Sequence, residues 1–513
     1  MKQSSAFIVT LFLLFSTVVR AELPPLIPRE LLWGSPTNSK SSARLSPNGK
    51  YLSYLAPDNN VMNVWVRTIG KEDDQAITQE KRHGLGNYYW QPDSEHILYL
   101  QDESGDENLH LYQANIHTKN IRDLTPFRGV QARIVRLDPN YPHEMLVGLN
   151  WENRNQHDVY RVNLTNGAVK FDTKNPGDVS NWGVDNQLRV LEAKVTTPDG
   201  GTEIRVRAHP KARWRSLQTW GPDENPGWVQ GFTPGNKGIW IASSVGANAT
   251  RLMEFDLASG KGKVIFQDPQ YDVCSVQIHP VRHTLEAVSV TRERTHWIVI
   301  DKSLKPDFEL LKATCDGDFS VISRDLANSK WVVFYDSDRN SGSYYLYDRS
   351  KRRTELLFHE GSSELLKYPF ARMQPISFTA RDGLVIHGYL TLPIGVEPRS
   401  LPTVLLVHGG PWDRDAWGAN WWVQWLANRG YAVLQVNFRG STGYGKAFHS
   451  AGDREWGGKM QDDLVDGKRW VVEQGYADSK RVAIMGHSYG GYATLAGLAF
   501  TPEEFACGVD EMG

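Results

Sequence analysis

A motif of strand, turn and strand recurs seven times between residues 42 and 359, as in ARLSPNGKYLSYL (43–55) and YYWQPDSEHILYL (88–100). The turn returns every 44 to 50 residues, at Pro47, Pro92, Pro139, Val184, Pro234, Pro280 and Arg324. A period in the mid-forties made of short strands is typical of one four-stranded propeller blade per repeat. Each such unit buries its apolar face only against its neighbours. We therefore predict a seven-bladed β-propeller. The even spacing argues against the alternative of two stacked β-sandwiches.

After about residue 370 the pattern changes to strands that alternate with helices. PTVLLVHGG (402–410) reads as a buried strand and its following loop, and WWVQWLANRG (421–430) as a helix closed by glycine. Such alternation indicates a doubly wound, mostly parallel sheet with helices on its faces. The sequence thus predicts a propeller with a short lead-in over 22–370 and a second, α/β domain over 371–513.

The second domain contains RVAIMGHSYGGYATL, residues 481–495. An apolar strand, a sharp turn around Ser488 and an Ala-rich helix follow one another there, which is the pattern of the nucleophile elbow in the α/β-hydrolase fold. Gly486, Gly490 and Gly491 supply the small volumes that a strained elbow requires. Ser488 is therefore the candidate nucleophile.

Acyl transfer also needs two hydrogen-bond donors aimed at the oxyanion. One candidate is the backbone N–H of Tyr489, the residue after the nucleophile. The second is expected from the HGG-type loop after TVLLV, where we favour the N–H of Gly410, with Gly409 as the alternative. The side chain of His408 is either an orienting group or a buried structural histidine.

The general base is missing from the pattern. The α/β-hydrolase fold orders its triad as Ser, then Asp or Glu, then His, and no histidine follows Ser488. His408 and His449 precede the nucleophile, and His487 adjoins it and is expected to point away from Oγ. We therefore expect a C-terminally truncated hydrolase domain that lacks the downstream Asp and His.

Several motifs together resemble one family. GHSYGGYATL, VHGGP, NFRGSTGYG (437–445), GDREWGG (452–458) and the preceding propeller are similar to the prolyl oligopeptidase family of serine peptidases, within it to the acylaminoacyl-peptidase and dipeptidyl-aminopeptidase-like branch. The resemblance covers nearly the whole mature chain. It implies that Ser488 is the nucleophile, that Tyr489 and the loop of residues 408–411 form the oxyanion hole, and that no cofactor is needed. It also implies that the propeller caps the hydrolase and admits short peptides.

The predicted function is therefore a serine peptidase that cleaves short peptides, of the aminoacyl-, dipeptidyl- or oligopeptidase type, with the truncated chain itself inactive. Two alternatives stay open. One is an esterase, since the same elbow serves lipases. The other is a non-catalytic protein that binds ligands through its propeller and carries a remnant hydrolase half, a reading that the missing histidine favours.

The N-terminus, MKQSSAFIVTLFLLFSTVVRA, reads as a secretory signal peptide over residues 1–21, with an uncleaved anchor as the alternative. Export to the periplasm or the medium follows. No later apolar run approaches the roughly 18 residues of a membrane span. Lys+Arg 57 against Asp+Glu 59 leaves no basic excess, which argues against nucleic-acid partners.

Three cysteines are too few for a disulfide scaffold in a chain of 513 residues. Cys274 and Cys315 could pair, but buried free thiols are the expectation, because nothing in the sequence fixes their separation. Metal-binding spacings such as CxxC or HExxH are absent from the sequence, so no metal site is predicted. The sequence leaves the oligomeric state open.

Overall fold

The computed structural model describes residues 23–34, 39–102, 105–222, 224 and 227–513. Within these residues the strands form seven small antiparallel sheets followed by one six-stranded mixed sheet. The prediction of a seven-bladed propeller followed by a hydrolase-type sheet is confirmed. The predicted signal peptide, residues 1–21, lies outside the described residues.

Each blade is built from strands that are consecutive in sequence. The first three blades contain β1 (Ser39–Leu45), β2 (Tyr51–Asp58), β3 (Val61–Thr68) and β4 (Gln75–Ala76); β5 (Tyr88–Trp90), β6 (His96–Gln101), β7 (His110–Asn115) and β8 (Ile121–Asp123); and β9 (Ala132–Arg136), β10 (Glu144–Leu149), β11 (Asp158–Asn163) and β12 (Val169–Thr173). The fourth and fifth contain β13 (Val179–Val184), β14 (Val190–Thr196), β15 (Thr202–Val206) and β16 (Arg215–Trp220); and β17 (Trp228–Phe232), β18 (Gly238–Ser243), β19 (Arg251–Asp256) and β20 (Gly262–Phe266). The sixth and seventh contain β21 (Val273–Ile278), β22 (Leu285–Thr291) and β23 (Thr295–Val299); and β24 (Asp318–Arg324), β25 (Lys330–Asp336), β26 (Ser343–Asp348) and β27 (Arg353–His359).

The repeated turn marks the same place in every blade. All seven positions lie at the junction of the first and second strands, from Pro47 between β1 and β2 to Arg324 at the end of β24. An apolar cluster then fills each junction between blades. Val64 of blade one packs in a cluster with Trp90 of blade two, and the last cluster joins Val332 of blade seven to blade one. The ring is therefore closed by side-by-side packing.

The two ends of the ring also meet through backbone. A short strand after the seventh blade, β28 (Gly361–Ser362), runs antiparallel to β1, with Ser39 opposite Ser362. The sheet of the first blade thus has β28 as a fifth strand, while its other four strands come from one stretch of chain.

The sixth blade departs from the predicted four strands. Its sheet has three, and after β23 the chain enters a 3₁₀ turn (Lys302–Leu304) and then helix α2 (Lys305–Thr314). Phe308 and Leu311 of α2 are buried in the cluster between blades six and seven. The helix thus follows β23 in sequence, where other blades have their fourth strand, and it packs on the junction between blades six and seven rather than along the edge of β23.

The hydrolase part begins with an antiparallel pair, β29 (Met373–Thr379) and β30 (Val385–Thr391), followed by β31 (Leu401–Val407), β32 (Ala432–Asn437), β33 (Ala477–His487) and β34 (Cys507–Glu511). The strand order is β29-β30-β32-β31-β33-β34, and the last four strands run parallel. The helices are α3 (Trp421–Ala427), α4 (Lys446–Ser450), α5 (Lys459–Glu473) and α6 (Tyr489–Phe500). Parallel strands place their carboxyl ends at one sheet edge.

The segment before the propeller packs on the hydrolase part. The backbone N–H of Ile27 donates to Asn428 Oδ1 at 2.7 Å, and the side-chain amide of Asn428 donates to Pro25 O at 3.0 Å. Trp33, at the end of α1 (Arg29–Trp33), contacts the ring of Trp422 in α3. The chain therefore touches the hydrolase before it forms the propeller.

The cysteines are free, and the expectation that Cys274 is buried is wrong. Cys274 follows buried Val273 on β21, and because successive side chains of a strand point to opposite faces, its thiol is exposed. In the part of the chain that the structure describes, no helix is long and apolar enough to cross a membrane.

Candidate active site

Ser488 occupies the turn between β33 and α6. Its backbone angles are φ 55° and ψ −120°, a region that a non-glycine residue enters only when its surroundings hold it there. Its N–H donates to Glu511 O at 2.9 Å, and its carbonyl accepts from Tyr492 N at 3.0 Å. Ser488 is exposed, and its side chain caps no helix N–H. The serine is thus presented at the carboxyl edge of the sheet by the strained turn that the sequence predicts.

The three elbow glycines are required by close backbone approaches. A Cβ atom on Gly490 would overlap the carbonyl oxygen of Val407, and one on Gly486 would overlap the backbone of Gly490. On Gly491 it would overlap the carboxylate of Asp510. Strand β31 and helix α6 can therefore approach closely only because Gly490 lacks a side chain, and Gly486 and Gly491 allow the close contacts of the turn itself.

The HGG loop lies beside Ser488. Val407 is in register with Gly486, so the loop leaves β31 at the edge where the elbow leaves β33. A Cβ atom on Gly409 would stand 3.6 Å from Ser488 Cβ. Gly410 has φ 116° and lies against the N–H groups of the next turn. The loop and the first turn of α6, which begins at Tyr489, therefore face the same space.

His408 is held on both ring nitrogens. Nδ1 lies 2.8 Å from Gly409 O, and Nε2 lies 2.9 Å from Ser441 Oγ, which itself donates to Phe438 O at 2.7 Å. The ring stacks on Phe438 with centroids 4.4 Å apart. Both nitrogens are engaged away from Ser488, and the contact with Gly409 O ties the ring to the glycine loop, an arrangement that fits both readings of His408.

The NFRGSTGYG segment is fixed by a buried arginine. Arg439 donates to Asp463 of α5 at 2.8 and 2.9 Å and to Asp382 at 2.8 and 3.0 Å. These bonds raise the pKa of Arg439, while burial raises the pKa of Asp463 despite the pair. The pair ties the loop that carries Ser441 to the helix behind it.

Arg414 connects the loop after the HGG motif to the propeller. Its guanidinium donates to Thr291 O and Arg292 O at the end of β22, both at 3.0 Å, and to Tyr444 Oη at 2.8 Å. It also lies over the ring of Tyr444 at 4.3 Å. The carbonyl groups of Thr291 and Arg292 in the propeller therefore fix the position of Arg414, which lies three residues after the predicted oxyanion loop. No sequence motif marks Arg414, because only the fold brings β22 to it.

No described histidine bonds to Ser488. His487 is exposed, with Nδ1 3.8 Å from Glu511 Oε2. His449 is half-buried, its Nδ1 has no hydrogen-bond partner in the described chain, and burial lowers its pKa. Nor do the described residues contain a cluster of three or more His, Cys, Asp or Glu side chains suited to a metal ion. The elbow and loop are in place, and the described residues supply them with no general base.

Comparison with known proteins agrees with this geometry. The chain is 39% identical over 500 residues to dipeptidyl aminopeptidase BIII of Pseudoxanthomonas mexicana, an alignment that covers 95% of this chain and 72% of that protein. A sequence profile of the prolyl oligopeptidase family matches residues 417–513. The chain belongs to the prolyl oligopeptidase family. Dipeptidyl peptidase family member 6 of Caenorhabditis elegans is 34% identical over 527 residues, with 95% and 70% of the two chains covered.

A solved structure with much lower sequence identity has the same fold. A puromycin-hydrolyzing peptidase of Mycobacterium tuberculosis superposes with a TM-score of 0.70 at 18% identity, covering 95% of this chain and 79% of that one. At such low identity the likeness concerns the arrangement of propeller and hydrolase sheet alone.

Proposed function

We propose that this protein is an exported serine peptidase that cleaves short peptides through an acyl-enzyme on Ser488. The observation that carries the proposal is the exposed Ser488, held at positive φ beside Gly409. The names of the two relatives, a dipeptidyl aminopeptidase and a dipeptidyl peptidase family member, favour dipeptide release over release of single residues.

In the proposed reaction Ser488 Oγ attacks the peptide carbonyl, and the carbonyl oxygen becomes an oxyanion. The N–H of Tyr489, at the start of α6, and the N–H of Gly410 or Gly409 donate to it. The bond to the leaving amine then breaks, the amine takes a proton, and water hydrolyses the acyl-enzyme. His408 keeps the glycine loop in place through its bonds to Gly409 and Ser441.

This chemistry needs an imidazole that takes the proton from Ser488 Oγ. His408, His449 and His487 make no bond to Ser488 Oγ. We therefore assign the base and its acid partner to residues outside the described part of the protein. The 513-residue chain alone should then hydrolyse dipeptidyl p-nitroanilides no faster than its Ser488→Ala variant. A missing triad member costs on the order of a million-fold in turnover.

The test compares that chain with one extended by any coding sequence that follows residue 513 in frame. The latter should hydrolyse the anilides, and Ser488→Ala should reduce kcat to background, while the exposed propeller control Ser216→Ala should not change it. A fluorophosphonate probe followed by peptide mapping should label Ser488. Hydrolysis that survives Ser488→Ala would contradict the proposal. Turnover by the 513-residue chain, abolished by Ser488→Ala, would assign the base to one of the three histidines.

The same preparation separates peptidase from esterase. We expect a higher kcat/KM for dipeptidyl anilides with a free amine than for N-acetylated ones, and weaker activity on p-nitrophenyl esters of simple acids. Activity confined to the esters would replace the peptidase proposal. A sound fold without activity on either series would favour the binding-protein alternative.

Export is a separate element of the proposal and rests on the sequence of residues 1–21. Expression in a bacterial host, fractionation and N-terminal sequencing should give a mature protein that starts at Glu22 in the periplasm or medium. A chain that keeps Met1 and sediments with membranes would indicate the uncleaved anchor instead.

A further inference from the structure

The sixth blade has an open outer edge. In each of the other six blades a fourth strand hydrogen-bonds to the third, whereas β23 ends its sheet. The burial pattern agrees, because β23 contains no fully buried residue and every other third strand contains at least one. An edge strand exposes a row of main-chain donors and acceptors that can pair with another chain.

The strand register shows which groups face outward. Arg292 N donates to Arg294 O, and Ile300 N donates to Glu286 O, so the even-numbered residues of β23 bond to β22. The backbone N–H and C=O groups of Thr295, Trp297 and Val299 therefore point away from β22. The N–H of Thr295 is taken by Asp318 Oδ2 at 2.6 Å. Those of Trp297 and Val299 have no acceptor in the described chain.

A groove of about 920 Å³ runs along this edge. Its walls are β23, one face of α2 and the start of β24, and its lining includes the aromatic rings of Trp297, Phe308 and Phe319. The groove shares no lining residue with the elbow or the glycine loop. Outward main-chain groups beside an apolar floor are the features by which sheet edges bind extended peptides.

The charges around the groove favour an acidic ligand. Asp316 and Asp318 are paired with Arg294 at 2.9 and 2.8 Å, and Asp316 also lies 3.4 Å from Arg339, so two guanidinium groups balance the two carboxylates. Glu309, the third acid of the lining, lies 3.8 Å from Lys305. Lys302 and Lys312 also line the groove, and no carboxylate of the described chain lies within ion-pair distance of either. Two ammonium groups are thus left to face a ligand.

We propose that this groove binds an extended peptide segment that carries carboxylate side chains, and that the segment adds to β23 as the fourth strand of the sixth blade. The outward N–H groups of Trp297 and Val299 donate to the peptide backbone. Its apolar side chains meet the aromatic floor, and its carboxylates meet Lys302 and Lys312. The proposal is independent of chemistry at Ser488.

The probe is a fluorescein-labelled peptide of sequence TVEVEVT, blocked at both ends, with TVKVKVT as its matched cationic control. Fluorescence anisotropy with the full chain should show saturable binding of the acidic peptide and at least tenfold weaker binding of the lysine peptide. Hydrogen–deuterium exchange should slow in the segment 295–299 when the acidic peptide is bound. Equal binding of the two peptides, or unchanged exchange in this segment, would overturn the proposal.

Two variants test the contacts. Val299→Pro removes an outward N–H and leaves the bonds from β23 to β22 intact, since proline is tolerated on an edge strand. It should weaken binding at least tenfold, whereas Val299→Ala, which keeps the N–H, should stay within about threefold. The double variant Lys302→Glu, Lys312→Glu should reverse the preference between the two peptides. If Val299→Pro binds as tightly as the native chain, or the double variant keeps the acidic preference, strand addition at this groove is wrong.

Discussion

The propeller and the hydrolase part bury their apolar residues in different ways. The propeller distributes its apolar residues over seven clusters, each shared by two neighbouring sheets, as with Val64 and Trp90. The hydrolase part concentrates them on the two faces of one sheet, around Ile484 on one side and Val423 on the other. A change in a blade is therefore felt by its neighbours, while a change near β33 affects the whole second domain.

Glycines with and without room for a side chain occur in both regions, and two of them form a useful pair. Gly221, in a propeller loop, has open space where a side chain would stand. Gly490, in the elbow, has the backbone of Val407 there. The propeller thus repeats one unit seven times, whereas the elbow occurs once and depends on glycines that have no room for a side chain.

The largest expected effect is at the elbow. Gly490→Ala should lower the free energy of unfolding by about 3 kcal/mol, because the added methyl overlaps main chain that cannot move without separating α6 from β31. Gly221→Ala should change it by no more than about 0.5 kcal/mol. Urea unfolding monitored by circular dichroism checks both. Equal losses of unfolding free energy in the two variants would show that the elbow accepts a side chain as well as the propeller loop does.

An intermediate effect concerns a buried acid in the propeller. Glu192, on β14, is fully buried, its Oε1 has no hydrogen-bond partner in the described chain, and burial raises its pKa from 4.5 to about 8. The native state then holds a proton that the unfolded chain releases. Stability from this group is fully present below pH 4.5 and is lost as the pH rises to about 8.

Glu192→Gln should remove that pH dependence and raise the free energy of unfolding at pH 8 by about 2 kcal/mol. The exposed Glu95→Gln serves as the control. In the hydrolase part burial also raises the pKa of Asp463, but the guanidinium of Arg439 opposes that shift, so we expect a smaller slope from Asp463 than from Glu192. Urea unfolding at pH 5 and pH 8 measures it. A slope that Glu192→Gln leaves unchanged contradicts the prediction.

The smallest expected effect concerns Arg414, which connects the hydrolase part to the propeller. Arg414→Ala removes the bonds to Thr291 O and Arg292 O. In whichever form of the protein hydrolyses the anilides, it should lower kcat about tenfold, since the loop near Gly410 loses its anchor. Arg414→Lys can make only some of these hydrogen bonds, so its kcat should lie between those of the native protein and of Arg414→Ala. The exposed Arg399→Ala is the control. Steady-state kinetics decide it, and an effect on KM alone would assign Arg414 to substrate access.

Much of the fold follows from local sequence. The turn at Pro47 and its six counterparts set the blade count because each turn is decided by residues next to it. The elbow at Ser488 is equally local, since a strand, a tight turn and a helix meet within a dozen residues. The site residues named from these motifs do come together at one edge of the sheet.

Other features could not be predicted, because they depend on partners distant in sequence. The repeat predicts a fourth strand in blade six, yet KPDFELLKAT forms α2, whose Phe308 finds its cluster only when blade seven is present. Arg414 finds Thr291 and Asn428 finds Ile27 only through the tertiary fold. No pattern of neighbouring residues marks these contacts.

The pairing of Ser39 with Ser362 has a consequence for how such a protein can evolve. The chain leaves α1, which rests on the hydrolase, travels around seven blades and returns to within one strand spacing of its departure point. In topological terms the propeller is a single insertion in the hydrolase, with its entrance and exit side by side. Such a cassette can be lost, exchanged or enlarged by whole blades through one event in the gene, while the sheet that carries Ser488 keeps its connections.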